Sequence, residues 1–238
     1  MTDTSAHEPP AMMPACSQCG ARSLGILGGT FNPPHAGHLA MARDARVELG
    51  LERVLLMPAH TSPFKARGED RRDRPGGADP GPAHRLAMCR LACAGEDGLD
   101  VSAAEVERGG LSYTVDTLRA IRAANANAEL TLIVGADTAG TIGSWREPAE
   151  LLALAHLAVA ARAGTAQAQV LDAIGEVGGD DAQVRFLKMP HVDASSSLLR
   201  ERVARGEPVA QLVGPDVAAY IAEHGLYRDR AQQAKARL

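Results

Sequence analysis

From Ser23 onward, short runs rich in Val, Ile and Leu alternate with longer segments whose apolar residues recur at helical spacing. Such alternation marks βαβ units, because two parallel neighbours need a crossover long enough to hold a helix. Strands are expected at Ser23 to Gly28, Arg53 to Pro58, Asp100 to Val106, Leu130 to Val134, Leu157 to Ala161 and Val184 to Lys188. Helices are expected at Gly37 to Leu49, Ala83 to Ala94, Thr114 to Ala124, Pro148 to Ala155, Gln167 to Gly175, Ser196 to Arg205 and Pro215 to His224. The last two follow one another with no strand between them. The fold class is therefore α/β: a parallel sheet flanked by helices and closed by a C-terminal helical pair.

A chain of 238 residues suffices for one such layered domain. Residues 1–22 contain Pro9, Pro10 and Pro14 without hydrophobic periodicity and are expected to form a flexible extension. The domain then spans 23–228, and 229–238 is a polar tail. Between Ala66 and Pro82 the chain is too rich in Gly, Pro, Asp and Arg for a regular element and reads as a mobile loop. Aromatic residues make up only 3%, so the core must be built from Ala, Leu and Val, and the single tryptophan, Trp145, becomes informative.

Composition excludes several classes. A hydrophobic fraction of 45% and a charged fraction of 23% rule out a wholly disordered or collagenous chain. A net charge of −4 gives no global footprint for nucleic acid or an anionic membrane, so any phosphate site must be local. No apolar run reaches the roughly 18 residues of a membrane span, and Met1 to Pro14 do not resemble a secretory signal. A cytoplasmic setting is expected, with small molecules as partners; a homo-oligomer is compatible with all of this.

Four cysteines are too few for a disulfide scaffold. Cys89 and Cys93 share one helical face and read as small buried hydrophobes. Cys16 and Cys19 form a lone C-x-x-C without a second pair at zinc spacing.

The first strand runs into Gly28-Gly29-Thr30-Phe31-Asn32-Pro33-Pro34-His35-Ala36-Gly37-His38, where a helix begins. A strand-to-helix turn at the carboxyl edge of a parallel sheet is the place for phosphate, because free N–H groups and the helix dipole converge there. Gly28 and Gly29 allow close backbone approach, and the prolines stiffen the turn. The alternatives are an ordinary Gly/Pro turn or a metal half-site made by His35 and His38. No third ligand lies nearby in sequence, so phosphate recognition is the better reading. Neither G-x-G-x-x-G nor G-x-x-x-x-G-K-[ST] is present, and the second strand ends in Met57-Pro58-Ala59-His60 without an acidic ribose ligand, which argues against a dinucleotide-dependent oxidoreductase.

Gly29 to His38 resembles the G-T-F-D-P-x-H-x-G-H signature of the nucleotidyltransferase superfamily with the H-x-G-H motif, and Ser195-Ser196-Ser197-Leu198-Leu199-Arg200 resembles its second signature, I-S-S-T-x-I-R. Further matches are Met57-Pro58, Pro63-Phe64-Lys65, His84-Arg85, Ser112-Tyr113-Thr114-Val115-Asp116-Thr117, Gly135-Ala136-Asp137, Ser144-Trp145, Tyr220-Ile221 and Gly225-Leu226-Tyr227. Together they resemble the bacterial nicotinate-nucleotide adenylyltransferases from about Leu24 to Tyr227. Four positions depart from the pattern: Asn32 for Asp, Phe64 for His, and Ala194 and Ser197 for Ile and Thr.

The resemblance implies a Rossmann-like nucleotidyltransferase fold and transfer of the adenylyl group of ATP to nicotinate mononucleotide, with nicotinamide mononucleotide or phosphopantetheine as alternative acceptors. The nucleophile is already an anionic phosphate, so catalysis reduces to positioning and charge neutralisation. His38, His35, Lys65 and Arg200 are the candidate catalytic residues, and Mg²⁺ would enter on the ATP phosphates with no ligand from the protein. Gly28, Gly29, Thr30, Phe31, Asp137, Ser196 and Ser197 join His35, His38 and Arg200 as ATP-binding candidates. Thr114, Trp145, Arg162 and Lys65 are candidates for the acceptor. Asp137 has a plain alternative as a helix N-cap, Trp145 as core packing and Lys65 as a solvated loop residue.

Overall fold

β1 (Ser23–Gly29) leads through α1 (Ala36–Leu49) to β2 (Arg53–Pro58) and a single helical turn, α2 (Pro63–Ala66). α3 (Pro82–Cys93), β3 (Leu99–Val101), α4 (Ala104–Arg108) and α5 (Thr114–Ala124) complete the first half. The second half runs β4 (Glu129–Gly135), α6 (Ala136–Ala139), α7 (Pro148–Leu154), β5 (His156–Ala161), α8 (Gln167–Gly175) and β6 (Val184–Lys188). α9 (Ser196–Ala204), α10 (Ala210–Val213) and α11 (Pro215–Glu223) close the chain. The structure, a computed structural model, describes residues 21–66, 79–161, 167–188 and 193–228.

The strands form one sheet in the order β3-β2-β1-β4-β5-β6, with every pairing parallel. Strand order reverses between β1 and β4, so their outgoing loops diverge and leave a crevice at the carboxyl edge. Both sheet faces are covered, which is why the strands read as continuous apolar runs. Leu24, Ile26, Leu55, Met57, Leu130, Leu132, Leu157 and Val159 point to the face covered by α5, α7 and α8. Leu27, Val54, Leu56, Ile133, Ala158 and Leu187 point to the other, where Ala42 and Ala45 of α1 and Cys89 and Cys93 of α3 meet them. A Cβ at Gly25 would stand 2.9 Å from Leu51 and Val54 side-chain atoms, so only glycine fits at that point of β1.

Most expected elements are present, with instructive differences. The third strand, expected from Asp100 to Val106, spans Leu99–Val101, and Ala104–Arg108 is helical. The Ser102 N–H gives a last ladder bond to the Leu56 carbonyl, and its hydroxyl then accepts from the Ala104 N–H at 3.3 Å, turning the chain into a helix. The C-terminal helices are separated by the extra turn α10, and with Met88 and Tyr227 they form a third apolar cluster. Contacts with the sheet begin two residues ahead of the expected boundary. Ala21 packs on the core, and the Arg22 carbonyl accepts from the Glu129 N–H at 2.8 Å.

Cys89 and Cys93 are buried, and burial pushes both thiols up. Cys16, Cys19, most of the Ala66 to Pro82 segment and the 229–238 tail lie outside the described residues. No helix among the described residues is long and apolar enough to cross a membrane.

Candidate active site

At the carboxyl end of β1 the chain turns sharply. Phe31 adopts a left-handed φ of 51° and the Asn32–Pro33 bond is cis. Phe31 is buried, and its ring meets the His38 imidazole edge-on with centroids 4.9 Å apart. His35 precedes the first turn of α1, and its ring lies 3.8 Å from that of His38. The His35 backbone N–H donates to His38 Nδ1 at 3.2 Å. An accepting Nδ1 leaves the proton of the neutral ring on Nε2, so His38 presents one N–H donor away from the backbone. Burial holds the His35 imidazole down at about 4, and burial together with its neighbour His35 lowers His38 well below the ordinary histidine range. Both rings are therefore neutral at pH 7 in the free protein. His35 Nδ1 is buried with no partner among the described residues, and a Cβ at Gly28 would meet nothing within 4 Å. The turn thus offers open space over its glycine edge beside buried imidazoles.

The second signature closes on this turn from the far end of the chain. Arg200 Nη1 donates to the Asn32 carbonyl at 2.7 Å, Arg200 Nη2 to Ser197 Oγ at 3.2 Å, and Ser196 Oγ to the Pro33 carbonyl at 2.9 Å. Ser195 caps α9, its hydroxyl accepting from the Leu198 N–H at 3.2 Å. Tyr227 Oη donates to Asn32 Oδ1 at 2.7 Å, and burial pushes its phenol up. Arg200 and Ser196 are placed with the histidines, but as braces of the turn's backbone.

A second buried arginine ties this turn to its neighbour. Arg85, 2% exposed, donates to the carbonyls of Thr30, Ala59 and His60 at 2.9, 2.6 and 2.8 Å and pairs with Asp79 at 3.0 Å. Its charge is compensated by four partners, as a buried guanidinium requires. The Ala59 N–H donates to the Gly29 carbonyl, and the His60 N–H to Ser112 Oγ at 2.9 Å. The end of β2 is thereby bonded to the β1 turn on one side and to the start of α5 on the other.

The loop before α5 forms one wall of a pocket lined by Pro63, Phe64, Tyr113, Thr114, Trp145 and Arg146. Thr114 opens α5, whose first N–H groups have no partner within the helix. Trp145 is half-buried, packs partly on the core, and donates from Nε1 to Thr141 Oγ1 at 3.2 Å. Phe64 meets it edge-on at 6.3 Å between centroids. Arg146 lies over the Tyr113 ring at 4.8 Å and pairs with Asp116 and Glu147 at 3.2 Å each. Asp137 is an exposed residue inside α6, where Gly135 is the N-cap, so it does not cap that helix. Lys65 belongs to α2, next to Phe64, but its side chain lies outside the described residues, as does all of Arg162.

Comparison with known proteins agrees with this geometry. The cytidylyltransferase-like family matches residues 26–202. A relative from Roseiflexus castenholzii, named probable nicotinate-nucleotide adenylyltransferase, is 42% identical over 209 residues, which is 86% of this chain and 97% of the relative. A relative of the same name from Gemmatimonas aurantiaca is 38% identical over 208 residues, covering 87% of this chain and 92% of its own. The chain belongs to the nicotinate-nucleotide adenylyltransferase family. The fold is also that of the Plasmodium falciparum nicotinic acid mononucleotide adenylyltransferase complexed with APC, with a TM-score of 0.66 at 15% identity over 87% of this chain and 97% of that one. The same enzyme complexed with NaAD gives a TM-score of 0.65 at 16% identity, over the same shares of the two chains.

Among nicotinate-nucleotide adenylyltransferases, Phe64 stands where the resemblance leads one to expect histidine. Here it supplies apolar surface to the Trp145 ring in place of a polar group. Asn32 keeps the acceptor oxygen that Tyr227 uses. Arg85 and Tyr227 were legible as parts of motifs but not as site residues, because each acts through partners far away in sequence, and Arg146 belongs to none of the motifs.

Proposed function

We infer that this chain transfers the adenylyl group of ATP to nicotinate mononucleotide, giving nicotinate adenine dinucleotide and pyrophosphate. The observation that carries this reading is the 42% identity across 97% of a relative bearing that activity's name. An oxygen of the acceptor 5′-phosphate attacks the α-phosphorus of ATP. One phosphorus–oxygen bond forms as the bond to the β-phosphate oxygen breaks, and pyrophosphate leaves with the electron pair. No side chain has to remove a proton from the nucleophile, so the protein contributes position and charge.

In this reading the triphosphate lies over Gly28 and Gly29, with Thr30 and Phe31 shaping the turn. The His38 Nε2–H donates to a phosphate oxygen, supported by the accepting contact at Nδ1. The buried, unpartnered His35 Nδ1 supports a second contact, and phosphate charge draws protons onto both rings. Ser196 and Arg200 hold the turn in place from the start of α9, and in this reading they share the phosphates with Ser197 and with Lys65 of α2. Asp137, exposed past β4, accepts from a ribose hydroxyl. ATP enters with Mg²⁺ on its phosphates, where the ion neutralises charge. Among the described residues no cluster of three His, Cys, Asp or Glu side chains is present to hold a metal by itself.

The acceptor ring stacks on Trp145, and its carboxylate meets the free N–H groups at the start of α5 near Thr114. Arg162, next in sequence after β5, is a further candidate for the acceptor's phosphate or carboxylate. A donor-lined site leaves the amide NH₂ of nicotinamide mononucleotide facing another donor. One such mismatch costs roughly 1–3 kcal/mol, so kcat/KM should favour the acid by well over about tenfold. Pyrophosphate release measured with nicotinate mononucleotide, nicotinamide mononucleotide and phosphopantetheine in turn tests the reading. Equal efficiency with acid and amide would replace it with a dual-specificity adenylyltransferase.

A further inference from the structure

Behind the Tyr113–Thr114 wall lies a carboxylate that does not line the pocket. Glu105 of α4 is 6% exposed. Thr117 Oγ1 donates to its Oε1 at 2.6 Å, and the Ser112 hydroxyl lies near the carboxylate. Arg108 Nη2 donates to Thr117 Oγ1 at 2.9 Å and stands 4.0 Å from the Glu105 carboxylate. Ser112 in turn accepts from the His60 N–H, and its own N–H donates to the Thr61 carbonyl at 2.9 Å. Glu105 therefore holds Thr117 beyond Tyr113 and Thr114 and faces Ser112 ahead of them.

The segment is preceded by Gly109 and Gly110, both at positive φ, 73° and 66°, where the Gly109 N–H donates to the Glu105 carbonyl at 3.2 Å and the Gly110 carbonyl meets His60 Nδ1 at 3.1 Å. Burial raises the affinity of Glu105 for a proton, opposed by the two hydroxyls and Arg108. A packed apolar side chain would fill the same volume without that desolvation penalty, so the carboxylate is poorly accounted for by stability alone. It is accounted for by geometry, since an acceptor-only group fixes the Thr117 hydroxyl with Arg108 close by.

We propose that Glu105 is a positioning residue for the acceptor site, holding Thr117 in the first turns of α5 so that the free N–H groups at the start of that helix face the carboxylate of the acceptor ring. The proposal rests on the acceptor reading above. It predicts loss of acceptor affinity and of acid-over-amide discrimination, with ATP untouched.

Steady-state kinetics with ATP and either nicotinate or nicotinamide mononucleotide, alongside thermal melting, test it on wild type, Glu105→Leu and Glu105→Gln. Glu105→Leu should raise the KM for nicotinate mononucleotide by about tenfold or more, leave the KM for ATP within about twofold, and shrink the acid-to-amide ratio of kcat/KM. Glu105→Gln, whose Oε1 still accepts from Thr117, should fall between wild type and Glu105→Leu. Should the leucine variant not fold, Thr117→Val, which removes the hydroxyl bonded to Glu105, must show the same selective loss. Parallel shifts in both KM values, or an unchanged acid-to-amide ratio beside a lowered melting temperature, would make Glu105 purely structural and overturn the proposal. A wild type that fails with nicotinate mononucleotide overturns the acceptor reading itself, and that is seen before any variant is compared.

Discussion

Arg200 donates from Nη1 to the carbonyl of Asn32 at 2.7 Å, joining two signatures 168 residues apart in the chain. Neither signature is a site alone. The first supplies the imidazoles and the glycine edge, and the second holds the backbone that aims them.

Of the two imidazoles, His38 has the donor geometry. Replacing it by Ala should lower kcat by at least about a hundredfold, because a charge-stabilising donor is lost at the transferring phosphoryl group. The melting temperature should change little. Pyrophosphate release from the folded variant provides the measurement, and near-normal turnover would remove His38 from the chemistry.

Acid should weaken the ligand-free protein through His35. Its folded value is about 4 against an ordinary 6.5, so between these values the unfolded chain binds more protons, and stability is lost as pH falls from about 6.5 toward 4. His38, lowered by burial and by His35, acts in the same direction. Each ring contributes a slope of up to about 1.4 kcal/mol per pH unit. Melting curves from pH 7 to 4.5 should fall more steeply for wild type than for His35→Asn, and parallel curves would remove the assignment.

The buried Tyr227 hydroxyl donates to the Asn32 amide oxygen at 2.7 Å. Tyr227→Phe should destabilise the protein by about 1–3 kcal/mol, the effect of leaving a buried acceptor unpaired. Asn32→Asp, which keeps that acceptor, should be far milder. Chemical denaturation of both variants separates these outcomes.

Trp145→Ala should weaken both pyridine acceptors, by about tenfold in KM, while leaving ATP affinity nearly intact. Phe64→Ala should act in the same direction with smaller size, since Phe64 touches the indole edge from outside. A matching loss of ATP affinity would mean that the pocket serves the donor instead.

Local features of this molecule were legible in the sequence. The turn from Gly28 to His38 is contiguous, and its glycines, prolines and histidines announce a strand-to-helix phosphate site without reference to any other segment. Arg85 gave no such signal, because its bonds reach carbonyls 25, 26 and 55 positions away and carbonyls are the same at every residue. Glu105 was hidden for a different reason. Val101, Ala103 and Val106 continue an apolar pattern that suits a strand, and only the Ser102 hydroxyl, bonding two residues ahead, diverts it into a helix. Trp145 could be read both as packing and as a ligand contact, and it does touch both core and pocket.

The clasp on Asn32 also sets an order of assembly. The Gly28 to His38 turn is among the first parts of the domain to leave the ribosome, yet its backbone is braced by Arg200 and its side chain by Tyr227. Through most of synthesis the nascent chain therefore carries its histidines in an unbraced loop. The turn is fully braced only once Arg200 and Tyr227, far downstream of it, have both emerged and folded back onto Asn32.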